Sequence, residues 1–402
     1  MLQGRTTNGL IETTTSLTIR AMTSAATMPD LTEPDARAKA LVGSYVRAGY
    51  QRVAPALIQP AEPFLDLSGE DIRQRMFLTT DRRGTELRLR PDFTIALSHD
   101  YLASAAAGRP AGFCYLGPVF RQGDDGPDEF LQAGSESFGR TDTAAADAEM
   151  LSLGLEATAE YGVTAPEIRM GDVGLFTALV EGLDLAPAWK RRLVKDFNRA
   201  GRLERDLDVL AIKPAGARSE YEGVLAAMAR SDPKSAHALV TDLLSIAGIS
   251  AVGGRSVGEI ADRFLEQAAL GASARLPQDV RSLIERFLAV SGDPDSAAAE
   301  LRALADEAKL DLGATLDTME SRTGFFAARG LDVGALKFAT AFGRGFDYYT
   351  GFVFEVTDGT ADSLVAGGRY DGLLARLGSA NPIPAVGFAA GLETLAAAGG
   401  AR

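Results

Sequence analysis

Hydrophobic and polar positions follow two different periods along the chain. Between residues 34 and 49 apolar side chains recur at helical spacing, and residues 144–161 are rich in Ala, Leu and Glu, so both segments are predicted to be helices. Residues 112–120 and 130–138 are apolar and strand-like, and the turn sequence Gly123-Asp124-Asp125-Gly126-Pro127 joins them. This pattern predicts a β-hairpin, in which the two strands pair antiparallel.

The middle of the chain differs in character from its flanks. From about residue 180 to 325 Ala, Leu, Glu and Arg dominate, which indicates a helical insertion, whereas residues 335–357 return to strand patterns. Residues 53–58 are also strand-like, and residues 77–97 alternate around a turn at Arg82-Arg83-Gly84. Strands joined by hairpins, then helices, then strands again predict an α+β fold with a mainly antiparallel sheet. The predicted organisation is a leader over residues 1–30, a core in two parts at 31–180 and 326–402, and the helical insertion at 181–325.

The first 28 residues are rich in Ser and Thr and contain a single acidic residue, Glu12. We interpret it as a disordered leader, or as the result of a start codon placed too early, with Met22 or Met28 as the alternative start. A transit peptide is the other interpretation of such a composition.

Composition argues against several functional classes. The 402 residues include 41 basic and 54 acidic side chains, for a formal charge of −13, and phosphate binding requires clustered Lys and Arg, so we expect no nucleic-acid partner. The single cysteine, Cys114, excludes an internal disulfide, and His99 and His237 lack ligand-like spacing, so we expect no metal and no cofactor. No apolar run approaches the roughly 20 residues that span a bilayer. We therefore expect a cytoplasmic protein without a membrane partner.

Four segments place charged side chains among residues that should be buried. Asp92, Thr94 and Gln132 offer the carboxylate and neutral acceptors that an ammonium group requires. Arg121 or Arg344 offers the forked donor that a carboxylate requires. Nearby glycines allow the backbone to approach a ligand. These residue types suit a small zwitterion; the alternative is that they form only salt bridges at strand ends. The segments are residues 89–94, residues 120–121 with 132–139, residues 343–351 and residues 366–372.

In this order the segments resemble the core of the class II histidyl-tRNA synthetases. Phe120-Arg121 with residues 132–139 resembles the second class-defining motif, and residues 344–351 and 366–372 look like the two histidine-specific motifs. Residues 384–388, running into Gly391-Leu392-Glu393, resemble the third class motif. The resemblance covers roughly residues 32–395 and implies a class II synthetase-like fold. It also implies a homodimer paired through the first motif, which residues 34–60 resemble.

Carried over residue by residue, the resemblance implies a pocket for L-histidine. Asp92, Thr94 and Gln132 would hold the ligand ammonium group, and Arg121 and Arg344 would hold its carboxylate. Glu136 and Tyr349 would bind the nitrogens of the imidazole ring, and Tyr348 and Tyr370 would form the walls around it. A buried carboxyl group and a phenol can satisfy both imidazole nitrogens, whereas an aliphatic ligand would leave those two groups unpaired.

Departures from the synthetase pattern fall in the parts that bind ATP and tRNA. Thr394 stands where the synthetases have an arginine that binds ATP phosphates. The hairpin at residues 122–129 carries four acids and no base, which would repel a triphosphate. Asp92 also replaces a glutamate, and Phe93 a glycine. Because only eight residues follow Thr394, we expect no anticodon-binding domain.

This combination resembles the regulatory subunits of ATP phosphoribosyltransferase. The resemblance implies a non-catalytic subunit of histidine biosynthesis that partners the short catalytic subunit, activates it and conveys feedback inhibition by histidine. Such regulation requires histidine to bind two states of the complex with different affinity. Two alternatives stay open: an active class II paralogue that adenylates or aminoacylates histidine, and a scaffold with a vestigial pocket.

Overall fold

A computed structural model describes most of the chain. The described residues are 35–61, 63–64, 73, 75–123, 127–197, 202–211, 233–248, 257–258, 260–262, 265, 276–343, 348–360 and 363–400. The predicted leader at 1–30 and the predicted ligand residue Arg344 lie outside them. The tip of the acidic hairpin, residues 124–126, also lies outside them.

Most strands of the described part belong to one large sheet. The strands are β1 (Gln51–Arg52), β2 (Ile58–Pro60), β3 (Leu78–Thr80), β4 (Glu86–Leu89), β5 (Ala111–Phe120), β6 (Glu129–Phe138), β7 (Glu167–Asp172), β8 (Ser291–Gly292), β9 (Lys337–Ala339), β10 (Phe352–Thr357), β11 (Val365–Arg369) and β12 (Ala385–Gly391). Nine of them form a sheet in the order β1-β5-β6-β12-β11-β10-β7-β9-β8, and β2-β4-β3 form a second, smaller one. Pairing in the large sheet is antiparallel except for β1 with β5 and β7 with β9. The predicted α+β class with a mainly antiparallel sheet is therefore confirmed.

Helices precede, follow and separate these strands. They are α1 (Ala36–Arg47), α2 (Thr94–Ala103), α3 (Thr143–Glu160), α4 (Val173–Gly182), α5 (Pro187–Phe197), α6 (Arg202–Ala211), α7 (Pro233–Ile246), α8 (Gln278–Ala289), α9 (Pro294–Ala308), α10 (Gly313–Ala328), α11 (Leu373–Arg376) and α12 (Leu392–Ala398), with a short 3-10 helix at Val333–Ala335. Within the described residues, no helix combines the length and apolar character needed to cross a membrane.

The helix α1 shows how local sequence produces these elements. Asp35 caps its first turn, because the side chain accepts a hydrogen bond from the Ala38 amide at 2.7 Å. Apolar residues at helical spacing, including Leu41 and Tyr45, are buried on one face of the helix. The Tyr45 ring packs edge-on against the ring of Phe388 on β12, with 5.6 Å between the ring centroids. The amphipathic pattern that predicts this helix therefore also attaches it to the sheet.

The segment at residues 53–58 differs from the predicted single strand. The chain leaves the large sheet after Arg52 and enters the small one at Ile58, without regular structure in between. Pro55 lies in this gap and has no amide hydrogen for a sheet hydrogen bond. The break allows one segment to join both sheets.

A buried network of charges connects α3, α10 and the sheet. Arg322 of α10 donates to Asp147 of α3 at 3.0 Å and to Asp172 of β7 at 2.7 Å. Asp147 also pairs with Arg369 of β11 at 2.6 Å. All four side chains are buried, so each charge depends on its partner for solvation. This network fixes the position of β11, which leads directly into the site.

Candidate functional site

A cavity of about 560 Å³ opens beside β5, β6, β12 and the start of α2. Seven of the residues predicted to hold the ligand line it: Asp92, Thr94, Arg121, Gln132, Tyr348, Tyr349 and Tyr370. Glu136 is fully buried and bonded to two of these lining residues. Residues as distant in the sequence as Asp92 and Tyr370 are thus brought together around one space, while Arg344 lies outside the described residues.

Two buried acceptors on this cavity have no hydrogen-bond partner among the described residues. They are Oδ2 of Asp92 and Oε1 of Gln132. The other carboxylate oxygen of Asp92, Oδ1, accepts from the Ile95 amide at 3.1 Å and so orients the side chain at the start of α2. Burial raises the pKa of Asp92, although the nearby charge of Arg121 lowers it. Leaving buried acceptors unpaired is unfavourable, so a donor group in the cavity would stabilise the site.

Glu136 is bonded by two hydroxyl groups. Thr94 Oγ1 donates to Glu136 Oε1 at 2.7 Å, and the phenol of Tyr370 donates to Oε2. Burial, helped by the charge of Asp92 and opposed by the two hydroxyl donors, raises the pKa of Glu136 to about 8. Gly387 of β12 is paired with Glu136 across the sheet, and a side chain there would overlap the carboxyl group. The carboxyl group is therefore held in one place between two strands.

Aromatic side chains enclose the inner part of the cavity. The ring of Tyr348 lies 4.8 Å from that of Tyr349 and 5.7 Å from that of Tyr370. On another wall, Phe93 stacks on Tyr115 at 4.0 Å and carries the guanidinium group of Arg90 3.9 Å from its ring centroid. A planar ligand ring would find aromatic neighbours here, which suits imidazole better than an aliphatic chain.

Tyr115 is a further wall residue of the cavity and was not among the predicted site residues. It is buried, and its hydroxyl donates to the Phe388 carbonyl at 3.1 Å. Its ring lies against Gly134, where a side chain would overlap both the ring and the Phe388 carbonyl. Tyr115 pairs with Gly134 across the hairpin, so it shares a face with the alternate residues Gln132 and Glu136. The register of the predicted hairpin is the signal that could have identified it.

The outer end of the cavity contains charges of both signs. Arg121 donates to the Pro91 carbonyl at 2.7 Å and lies 5.2 Å from the centroid of the Phe130 ring. Arg75 also lines this end and donates to the Gln122 carbonyl at 2.5 Å. Arg75 was not predicted from the sequence, because it lies 47 residues from Gln122 of the hairpin that it contacts. The acidic hairpin therefore has a basic neighbour that inspection of the hairpin alone could not reveal.

The third-motif residues at this end make hydrogen bonds with the protein itself. Both carboxylate oxygens of Glu393 accept from the Leu131 amide, at 2.9 and 3.1 Å. Thr394 donates to the Gly391 carbonyl at 2.9 Å. Thr394 lines the cavity and provides a short neutral side chain where the resemblance to the synthetases implies an arginine.

One charged residue of the fourth segment has a structural role. Arg369 bonds to Asp147 and to Asp371, the latter at 2.9 Å, and does not line the cavity. The salt-bridge interpretation considered above is therefore correct for Arg369, although the next residue, Tyr370, lines the cavity. Within the described part of the chain, no group of three or more His, Cys, Asp or Glu side chains is placed to hold a metal ion.

Comparison with known proteins gives sequence relatives and structural neighbours. The histidyl-tRNA synthetase family model matches residues 29–204 and 234–395. The ATP phosphoribosyltransferase regulatory subunits of Brucella canis and of Brucella suis biovar 1 are each 40% identical to this chain over 352 residues. Those residues are 86% of this chain and 92% of each relative.

Two solved structures have the same fold at low sequence identity. One is an ATP phosphoribosyltransferase regulatory subunit/histidyl-tRNA synthetase from Bacillus halodurans, with a TM-score of 0.62 and 22% identity, covering 90% of this chain and 79% of that one. The other is the histidyl-tRNA synthetase of Nostoc sp. PCC 7120, with a TM-score of 0.57 and 18% identity, covering 90% of this chain and 69% of that one. These likenesses confirm the predicted class II synthetase-like fold.

Proposed function

The chain belongs to the family of ATP phosphoribosyltransferase regulatory subunits, and from this premise we propose that its cavity binds L-histidine and conveys feedback inhibition to the short catalytic subunit. As a member of that family the chain is a regulatory rather than a catalytic subunit, with a role in histidine biosynthesis.

The pair of unpartnered acceptors, Asp92 Oδ2 and Gln132 Oε1, carries this proposal. An α-ammonium group has three N–H donors and a positive charge, so it can bond to both oxygens and neutralise Asp92. Arg121 lines the same cavity and supplies a positive charge for the ligand carboxylate. We also assign Arg344 to that carboxylate, on the sequence resemblance alone.

The ring of the ligand would occupy the aromatic inner part. Glu136 is the polar group at that end, and Tyr348, Tyr349 and Tyr370 surround the space beside it. Each oxygen of this fully buried carboxyl group already accepts one hydroxyl bond, so the site favours a ligand whose ring nitrogen adds a further bond to it over a ligand that offers none. Histidine is the amino acid whose side chain offers nitrogen atoms to this carboxyl group in a ring of suitable shape.

Inhibition would then follow from differential binding. Histidine can change the activity of the catalytic subunit only by the difference in its affinity for the active and inactive states of the complex. Tyr348 and Tyr349 belong to a segment tied to β11, since the Thr350 amide donates to the Arg369 carbonyl at 2.8 Å. Contacts of the ligand with these tyrosines are therefore one route by which binding could affect the sheet.

An active adenylating enzyme is the second candidate, because the fold is that of the synthetases. Thr394 offers no positive charge at the outer end of the cavity, and its hydroxyl is already bonded within the chain. Exchange of labelled pyrophosphate into ATP, dependent on histidine, would support this candidate. We expect no exchange above background.

The proposal is tested with the purified protein and the short catalytic subunit. We expect the two to copurify, and the catalytic rate of the complex to fall when histidine is added. L-histidine should raise the melting temperature of the regulatory chain much more than histidinol, which lacks the carboxylate. Equal shifts with the two ligands, or none with histidine, would contradict the assigned pocket.

We further propose that the chain forms a homodimer through residues 34–60, within a cytoplasmic hetero-oligomer. Val46, Leu57 and Ile58 support this, because each has between 44% and 53% of its surface exposed although it is a large apolar residue. Sedimentation of the chain at micromolar concentration, alone and with the catalytic subunit, tests the assembly. A monomer under both conditions would contradict it.

A further inference from the structure

The environment of Glu136 is unusual for an acidic side chain. It has no exposed surface, and both of its oxygens are bonded to neutral hydroxyl groups, those of Thr94 and Tyr370. Among the described residues, no arginine, lysine or histidine makes a hydrogen bond or an ion pair with it. A buried carboxylate without a cationic partner is strongly destabilised, and binding a proton removes that penalty.

The hydroxyl donors of Thr94 and Tyr370 lower the pKa of Glu136, but its burial and the other groups that face it favour the neutral acid. Asp92, at the start of α2, is a second carboxyl group, and its charge opposes ionisation of Glu136. Tyr115, Tyr348 and Tyr370 are phenols whose pKa values are raised well above the ordinary value by burial, so they stay neutral. From β12 the neighbour is Gly387, which has no side chain. The result is a pKa of about 8 for Glu136.

We propose that Glu136 is protonated in the empty pocket and transfers its proton to the imidazole ring of the ligand. This inference rests on the proposed function and deepens it, because it identifies the chemical property that the pocket selects. In the transfer, the O–H bond of the carboxyl group breaks, and the lone pair of a ring nitrogen forms the new N–H bond. The products are an imidazolium ring and a carboxylate, which Thr94 and Tyr370 continue to bond. The pocket therefore selects an amino acid whose ring contains a basic nitrogen.

The transfer has a definite consequence for the pH dependence of binding. The imidazole ring of free histidine has a pKa of about 6.5. At a pH between this value and the pKa of Glu136, the free ring is mostly neutral, and Glu136 in the empty pocket already carries the proton that is transferred. Binding in this range takes up no further proton. Above the pKa of Glu136 the empty pocket loses its proton, and binding must take one up from solution. The contribution of this step weakens the affinity by about tenfold between pH 7 and pH 9.

The direct test is an NMR spectrum of ring-¹⁵N-labelled L-histidine bound to the full-length protein at pH 7.5. The ring of free histidine is mostly neutral at this pH, with one protonated nitrogen, whereas we expect the bound ring to have both nitrogens protonated. A bound ring with a single N–H would overturn the proposal and leave the histidine pocket itself intact. The absence of any bound signal would instead refute the proposed function and the proton transfer together.

A matched variant separates Glu136 from other titrating groups. Glu136→Gln has nearly the same volume but cannot transfer a proton, so histidine bound to it should keep a neutral ring. The tenfold loss of histidine affinity between pH 7 and pH 9 should also vanish, while the separate titration of the ligand ammonium group remains. An unchanged loss of affinity in Glu136→Gln would overturn the assignment of the proton to Glu136. If the variant binds histidine too weakly, infrared spectroscopy of the unliganded proteins provides the test. We expect the band of a protonated carboxyl group in the parent and not in the folded variant. Absence of this band from the parent would refute the inference.

Discussion

Replacing Asp92 by asparagine should weaken histidine binding without destabilising the empty protein. Oδ1 of Asp92 accepts from the Ile95 amide at 3.1 Å, and the amide oxygen of asparagine can keep that bond. Oδ2 has no partner among the described residues, and burial raises the pKa of this carboxyl group. The carboxylate is therefore held in an environment that disfavours its charge in the absence of a ligand. Removing that charge should leave the free energy of unfolding of the empty protein within about 1 kcal/mol of the parent, or raise it.

The loss of affinity should be large. Removing one partner of a desolvated charge pair weakens binding by about 2–5 kcal/mol, which corresponds to roughly 30-fold to several thousand-fold in Kd. Titration calorimetry at pH 7 measures this with L-histidine and with imidazolepropionate, which keeps the ring and carboxylate but lacks the ammonium group. Parent and Asp92→Asn should bind imidazolepropionate with similar affinity, since neither forms the pair with that ligand. The four affinities give the coupling between Asp92 and the ammonium group.

Urea unfolding of both empty proteins is the control for structural damage. A variant that unfolds like the parent and yet binds histidine with the parental Kd would show that Asp92 does not hold the ammonium group. Equal losses of affinity for L-histidine and imidazolepropionate would also contradict this role of Asp92, because the effect would then not depend on the ammonium group. Either result would require a different ligand orientation in the cavity.

Three further predictions concern the buried charge network, the carboxyl group of Glu136 and the binding of the ligand carboxylate by Arg344. Arg322→Met should lower the free energy of unfolding in urea by about 3–5 kcal/mol, since it removes the donors 3.0 and 2.7 Å from Asp147 and Asp172. The control Arg302→Met, in an exposed ion pair, should have a far smaller effect, and equal effects would contradict a special role for burial. Burial raises the pKa of Glu136 from 4.5 to about 8, so the stability it contributes is complete below the lower value and lost as the pH rises to the higher one. The unfolding free energy of the parent should therefore fall more steeply than that of Glu136→Gln between about pH 5 and pH 8, and parallel curves would argue against a neutral Glu136. In the complex with the catalytic subunit, Arg344→Ala should relieve inhibition by histidine while activation persists; unchanged inhibition of a folded variant would exclude Arg344 as the sensor.

Much of the fold could be predicted because its patterns are local. The strands at 112–120 and 130–138 and the turn between them correspond closely to β5 and β6, and the helix predicted at 144–161 is α3 at Thr143–Glu160. The break around Pro55 was missed, because the apolar positions continue through a segment in which the chain changes from one sheet to the other. The boundaries of the helical insertion stay a prediction.

For the site, the residue types and their motifs are properties of the sequence. They predict which side chains suit an amino-acid ligand, and seven of them line one cavity. The sequence does not distinguish Arg369, which belongs to the buried network, from its neighbour Tyr370, which bonds to Glu136. The two residues are adjacent in the chain, and only the packing of α3 against the sheet separates their roles.

Most of the strands and helices, the charge balance and the groups available for a ligand follow from the sequence, because spacing and residue type are local properties. Only the contacts between distant segments show which acceptors lack a partner among the described residues and which carboxyl group has a raised pKa. Glu136 and Tyr370 are 234 residues apart, and their contact depends on the register of β6 with β12 and of β12 with β11. Burial and register arise from contacts between distant segments, and these two properties raise the pKa of Glu136 and leave two acceptors of the cavity without a partner among the described residues.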